Sequence, residues 1–167
     1  DTVNVTLVSM TVSHTSNNVS CNGGNNGKIK ETAVGNPPYT FAWSANAATG
    51  NVDSAVNLIA GTYYVTVTDA LGCIGRDTIV ITQPTAVSFT SSVTNVLCNG
   101  GNNGSISLTP AGGTGAYTYT WSGGLPATQT VSNLTAGNYS VTLSDALSCS
   151  ASGTFSITQP TALALNP

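Results

Sequence analysis

A chain of 167 residues holds one large domain or two small ones. Charged residues are only 5% of it, against about 25% in ordinary globular proteins, and a net charge of −3 with three cations (Lys28, Lys30, Arg76) excludes a basic nucleic-acid-binding face. No apolar run approaches the roughly 18 residues of a membrane span, and polarity carried by Thr, Ser, Asn and Gly favours strands and tight turns over long helices.

The first residues, "DTVNVT" at 1–6, resemble "DTIVIT" at 77–82, and read as the last strand of a preceding copy of a repeat. No basic stretch leads into an apolar one, so no signal peptide is expected. Strands are then predicted near 8–15, 28–34, 39–45, 54–58, 62–69 and 75–82. Tyr39, Phe41 and Trp43 alternate with Thr40 and Ala42, and Tyr63, Val65 and Val67 alternate with Thr66 and Thr68, the period-two pattern of a half-buried strand. Turn signals fall between them: "GNPP" at 35–38, "AG" at 60–61 and "DALG" at 69–72.

The second half repeats the first. "CNGGNNG" occurs at 21–27 and again at 98–104, an offset of 77. Tyr39, Phe41 and Trp43 answer to Tyr117, Tyr119 and Trp121; Leu58, Gly61, Tyr63, Asp69 and Cys73 answer to Leu134, Gly137, Tyr139, Asp145 and Cys149. "ITQPTAV" at 81–87 answers to "ITQPTAL" at 157–163. The chain is therefore all-β: two tandem immunoglobulin-like β-sandwich repeats of about 77 residues, each with six or seven short strands. Repeat 1 spans 7–83 and repeat 2 spans 84–160. Residues 161–167 read as the first strand of a following copy, so the chain is expected to come from the middle of a longer array. Trp43 and Trp121 fall on the third strand, where such sandwiches bury a tryptophan. The "L-x-A-G-x-Y" runs place Tyr63 and Tyr139 as tyrosine corners. A sugar-stacking platform is the other reading of these aromatics.

In this order, "CNGGNNG", "YTFAWS" or "YTYTWS", "L-x-A-G-x-Y", "TDALGC" or "SDALSC" and "ITQPTA" resemble the SprB-type repeat of Bacteroidetes gliding-motility and cell-surface adhesins. The resemblance covers nearly the whole chain. It implies an extracellular, cell-surface filament exported by the type IX system and associated with gliding. The function expected is that of a structural stalk or spacer, the alternative being a carbohydrate-binding or accessory module of a secreted protein. The partners expected are neighbouring repeats, with surface polysaccharide or other copies of the filament beyond them; no nucleic acid and no membrane insertion are expected.

The cysteines admit two pairings. Within each copy, Cys21–Cys73 and Cys98–Cys149 would close loops of about 50 residues, worth about 4 kcal/mol. In an immunoglobulin-like order, however, the loop after the first strand and the last hairpin lie at opposite ends, about 17–20 Å apart, whereas a disulfide needs Cα atoms within about 7 Å. Pairing Cys21 with Cys149 across the junction would leave Cys73 and Cys98 for copies outside this chain. Zinc is not expected, with one histidine and no CxxC.

No enzyme is expected. His14, the one histidine, has Ser91 as its counterpart, so a surface role is assigned to it. Of the acids, Asp1, Glu31, Asp53 and Asp77 have no match in the other copy; Asp69 and Asp145 match and open the last hairpin as turn residues. No pair of carboxylates recurs for acid–base work, and no Ser-His-Asp set can be built twice. Lys28 and Lys30 give way to Ser105 and Ser107, against an isopeptide crosslink. No cofactor or metal is expected; calcium is the one ion weighed, since "CNGGNNG" offers amide and backbone oxygens but no carboxylate. Asp-Ser/Thr-aliphatic runs make Thr2, Ser54 and Thr78 candidates for bacterial O-glycosylation, the bland reading being that Asp-Thr is common where strands start.

Overall fold

The computed structural model describes residues 9–47 and 50–164, and the period-two stretches in it are strands. The chain divides into two units, Asp1–Gln83 and Pro84–Pro167. In the first, β1 (Thr11–Asn17), β2 (Gly27–Val34) and β4 (Ser54–Leu58) form one antiparallel sheet in the order β1-β2-β4. The other sheet joins β3 (Thr40–Trp43), β5 (Gly61–Thr68) and β6 (Ile74–Ile81) in the order β3-β5-β6. The second unit repeats this with β7 (Ser88–Thr94), β8 (Gly104–Ala111) and β10 (Thr130–Leu134) against β9 (Thr118–Trp121), β11 (Gly137–Ser144) and β12 (Ser150–Ile157). Chain order switches between sheets three times in each unit, which is the immunoglobulin-like sandwich with six strands.

Alternation decides which face each strand buries. On β5, Tyr63, Val65 and Val67 are at most 1% exposed, while Tyr64 between them is 57% exposed. They meet Ile29, Ala55 and Leu58 from the facing sheet and Ile79 and Ile81 from β6, with Phe41 and Trp43 half-buried at the side. The second core is built alike around Ile106, Leu108, Val131, Val141 and Ile157, with Trp121 buried. Each fully buried large aliphatic side chain contributes about 1.5–3 kcal/mol.

Several boundaries differ from the sequence expectation. The third strand stops at Trp43 and turns into a single 3₁₀ turn, Ala45–Ala47, where the Ser44 hydroxyl meets the Asn46 amide oxygen at 2.6 Å. The preceding-copy strand expected at 1–6 lies outside the described residues. Of the following strand expected at 161–167, residues 161–164 take no regular structure and the rest lie outside the described residues. A first strand is held by pairing with the second strand of its own copy, as β7 is by β8, and 161–164 has no such partner among the described residues. No helix among the described residues is long and apolar enough to cross a membrane.

Candidate functional site

The exact repeat is a loop built from its own side chains. Gly23 and Gly100 sit at φ +73 and +75, the left-handed region that glycine enters freely. The Gly24 and Gly101 amides donate to the Cys21 and Cys98 carbonyls at 3.0 Å. Asn26 accepts the Ser20 amide at 2.9 Å, and Asn103 accepts the Leu97 amide at 3.1 Å, so both amide oxygens serve the turn. A Cβ on Gly27 would come within 2.8 Å of the Leu58 carbonyl oxygen, and one on Gly104 within 2.8 Å of the Leu134 oxygen. The end of the same repeat is fastened to this loop. Gln83 accepts the Gly23 amide at 2.7 Å and Gln159 accepts the Gly100 amide at 2.8 Å. Thr82 donates to Asn18 at 2.9 Å and accepts from the Val19 amide at 3.0 Å; Thr158 does the same with Asn95 and Val96. The Gln of "ITQP" thus has a role: it closes the loop of its own copy.

At the other end of each sandwich an aspartate organises the last hairpin. One oxygen of Asp69 accepts the Leu71 and Cys73 amides, both at 2.9 Å, and the other accepts the Asn36 amide at 3.2 Å. Asp145 accepts Leu147 and Cys149 at 2.9 Å and Thr114 at 2.8 Å. Burial opposes ionisation of both, but the amide donors outweigh it and hold each carboxyl below its ordinary range. Tyr63 donates its hydroxyl to the Ile59 carbonyl, and Tyr139 to the Thr135 carbonyl, each at 2.9 Å. The indoles of Trp43 and Trp121 donate to Val52 and Thr128 at 2.8 and 3.0 Å.

The family model described as the SprB repeat matches residues 13–48 and 90–126, one segment in each unit. Each unit thus carries a segment that matches the SprB repeat. No curated protein matches the chain. Similar solved structures include the C-terminal 282-residue fragment of intimin, in complex with the intimin-binding domain of its translocated receptor (13% identity, TM-score 0.45, 89% of this chain and 64% of that one). The N-terminal eight Ig domains of DSCAM isoform 1.30.30 are another (11%, TM-score 0.43, 92% and 25%). An amphioxus IgVJ-C2 molecule is a third (14%, TM-score 0.38, 90% and 97%). The chain spans less than two thirds of the first two of these structures.

Within each repeat the two cysteines sit apart. Cys21 follows β1 beside the end of β6, whereas Cys73 lies in the hairpin that begins β6. The eight residues of β6 span roughly 23 Å. Cys73 and Cys98 are free thiols, while Cys21 and Cys149 are disulfide-bonded. The within-repeat pairs Cys21–Cys73 and Cys98–Cys149 therefore do not form, for the reason of distance. Of the glycosylation candidates, Thr78 is exposed on β6 and Ser54 is half-buried, its hydroxyl 2.6 Å from Asp53; Thr2 lies outside the described residues. Asp53 also takes Lys30 at 2.7 Å, the hydrogen bond that does most to lower its pKa, in an exposed pair worth little to stability.

Among the described residues, the first repeat holds a cluster that the sequence reading missed. His14 on β1 is the cross-strand partner of Glu31 on β2, and both side chains point inward, on the faces that carry Val12 and Ile29. Asp77 comes from β6 of the facing sheet, in phase with buried Ile79. His14 Nδ1 and Asp77 Oδ2 are 2.6 Å apart. Glu31 is 1% exposed, and neither carboxylate oxygen has a hydrogen-bond partner. Burial, and then the charge of Asp77, push its pKa up to about 7, with His14 acting in the opposite direction. His14 is exposed, as a surface residue, and its ring reaches a polar site at the seam of the sandwich. The signal available in the sequence was the simultaneous change of three positions, His14, Glu31 and Asp77 standing where the second copy has Ser91, Leu108 and Gly153.

Proposed function

We propose that this chain is a stretch of the stalk of a large bacterial cell-surface adhesin or extracellular filament, working as a spacer and not as an enzyme. SprB repeats occur in cell-surface proteins. The observation that carries the reading is that one module occurs twice with the same loop, hairpin and corner bonds, each around a closed core of its own. What recurs is what folds the module. A carbohydrate-binding role would be served by exposed aromatics that match between copies. Among the described residues the strongly exposed aromatic is Tyr64, and its counterpart is Ser140. Gliding association, type IX export, and contact with surface polysaccharide or other filament copies belong to the same proposal. An antibody raised against the two repeats is expected to label intact cells, and the isolated chain to retain no glycan on an array. Absence of surface label overturns the stalk. Saturable glycan binding that Trp43→Ala abolishes without unfolding favours the carbohydrate module.

The proposal includes a covalent tie between consecutive copies, pairing the loop cysteine of one with the hairpin cysteine of the next, Cys21 with Cys149. It is supported by the bonded state of these two and by the distance that forbids pairing within a copy. Each free cysteine is the counterpart of a bonded one, Cys73 of Cys149 and Cys98 of Cys21. Non-reducing peptide mapping of native material is expected to yield a Cys21–Cys149 peptide. Recovery of Cys21–Cys73 instead overturns the tie. The same map tests O-glycans on Thr2, Ser54 and Thr78: hexose-type mass additions are expected there, and bare peptides remove that part of the proposal.

A further inference from the structure

We propose that His14, Glu31 and Asp77 form a binding site for a divalent transition-metal ion of the zinc class, present in the first repeat and missing from the second. Three strands from both sheets deliver these side chains to one point: β1 and β2 through the direct His14–Glu31 pairing, and β6 from across the sandwich. One ligand atom from each residue lies within 4.8 Å of the others. An ion about 2.0–2.2 Å from each ligand needs them closer than that, a side-chain adjustment of about an ångström. The His14–Asp77 hydrogen bond gives way as the ion takes its place.

The decisive feature is the carboxylate of Glu31. A carboxylate taken out of water is costly unless it is paired or coordinates a metal. Here both oxygens are buried and unpartnered, and they face a second carboxylate and an imidazole. No lysine or arginine serves them. Lys30 is bonded to Asp53. Lys30 and Arg76 each neighbour a cluster residue along a strand, and alternation turns them to the opposite face. When both carboxylates are ionised beside a single imidazole, a divalent ion cancels their charge.

The ligand set selects the class of ion. One imidazole nitrogen with two carboxylate oxygens suits zinc, and to a lesser degree manganese, iron or cobalt; calcium and magnesium are held by all-oxygen sets. The side chains of His14 and Asp77 are 32% and 22% exposed, which gives the ion a way in and leaves room for water to complete its shell. The second repeat is an internal control. Its counterparts, Ser91, Leu108 and Gly153, supply no metal ligand. Leu108 is fully buried there, and Phe89 packs tilted against Phe155 with ring centroids 6.3 Å apart, its ring occupying the space that a side chain at Gly153 would need. One copy closes this seam with aromatic rings; the other leaves it polar.

The test uses the two-repeat chain, stripped with EDTA, dialysed at pH 7.5, and with Cys73 and Cys98 capped by iodoacetamide so that thiols cannot bind the probe. Zinc chloride titrated calorimetrically is expected to bind at one ion per chain and to raise the melting temperature of the first repeat. His14→Ser places the second repeat's own residue at a partly exposed position, so the fold survives, and affinity is expected to fall at least tenfold. Glu31→Gln keeps the shape and is expected to do the same. Cobalt in place of zinc is expected to give visible absorption bands that His14→Ser removes. Absence of binding overturns the site. So does a stoichiometry of two ions per chain, or zinc affinity that His14→Ser and Glu31→Gln leave unchanged.

Discussion

Replacing Glu31 by leucine is expected to stabilise the metal-free first repeat by about 3 kcal/mol at pH 8, a rare gain from a single core substitution. The leucine is what the second repeat carries at this position, as Leu108. The gain has two sources: loss of a buried carboxylate without hydrogen bonds, and added apolar contact with the Ile29 side of the core. Its pH dependence follows from the raised carboxyl. Glu31 holds its proton in the folded repeat up to about pH 7, whereas in the unfolded chain it releases it near 4.5. Below 4.5 both states are protonated and Glu31 costs nothing as an ion. As pH rises from 4.5 to 7 the unfolded chain loses the proton first, so the wild-type repeat loses stability through that window and levels off above it. Asp77 and His14 face the group and act on it in opposite directions, the aspartate favouring the protonated form and the histidine the ionised one. Urea melts in EDTA at pH 5 and pH 8 measure this. Trp43 fluorescence in a Trp121→Phe background reports the first repeat alone. A wild-type stability that is flat between the two pH values, or a Glu31→Leu variant less stable than wild type at pH 8, contradicts the account.

Truncating Tyr63 is expected to have the opposite and larger effect. Tyr63 is the largest fully buried side chain among the described residues, and its hydroxyl donates to the Ile59 carbonyl. Loss of such a ring costs about 3–5 kcal/mol, while a module of about 80 residues has only about 4–12 kcal/mol in all. Tyr63→Ala is therefore expected to leave the first repeat at the edge of unfolding at 25 °C, with the second repeat intact. Tyr63→Phe keeps the ring and removes the corner bond, a loss of about 1 kcal/mol. Tyr139 makes the same corner bond but is only half-buried, so Tyr139→Ala is expected to cost clearly less. Equal losses at the two positions would show that ring burial does not set the difference.

These two tyrosines also show what the sequence could and could not tell. Their place before the penultimate strand was legible from the "L-x-A-G-x-Y" spacing, as were the alternating cores and the tryptophans, because period two and recurrence in two copies are local signals. Recurrence was also the blind spot. His14, Glu31 and Asp77 do not recur, and weighting what the copies share discounts what one copy has alone. Pairing of His14 with Glu31 follows from the register of the first hairpin, but Asp77 reaches them only because β1 and β6 face each other across the two sheets. Sequence spacing holds no record of that. The cysteines stood between two pairings because strand length argued one way and loop closure the other; the geometry of β6 decides against closure within a copy.

The fastening of each repeat's last residues to its first loop has a mechanical meaning. Tension applied where the chain leaves the first sandwich reaches Thr82 and Gln83, and these are held by Asn18, Val19 and Gly23 together. The three bonds share a load in parallel, so β6 is not peeled one rung at a time from its C-terminal end. Thr158 and Gln159 are anchored in the same way. The glycines and asparagines of "CNGGNNG" thus act as the eye of a latch, and the glutamine of "ITQP" as its hook.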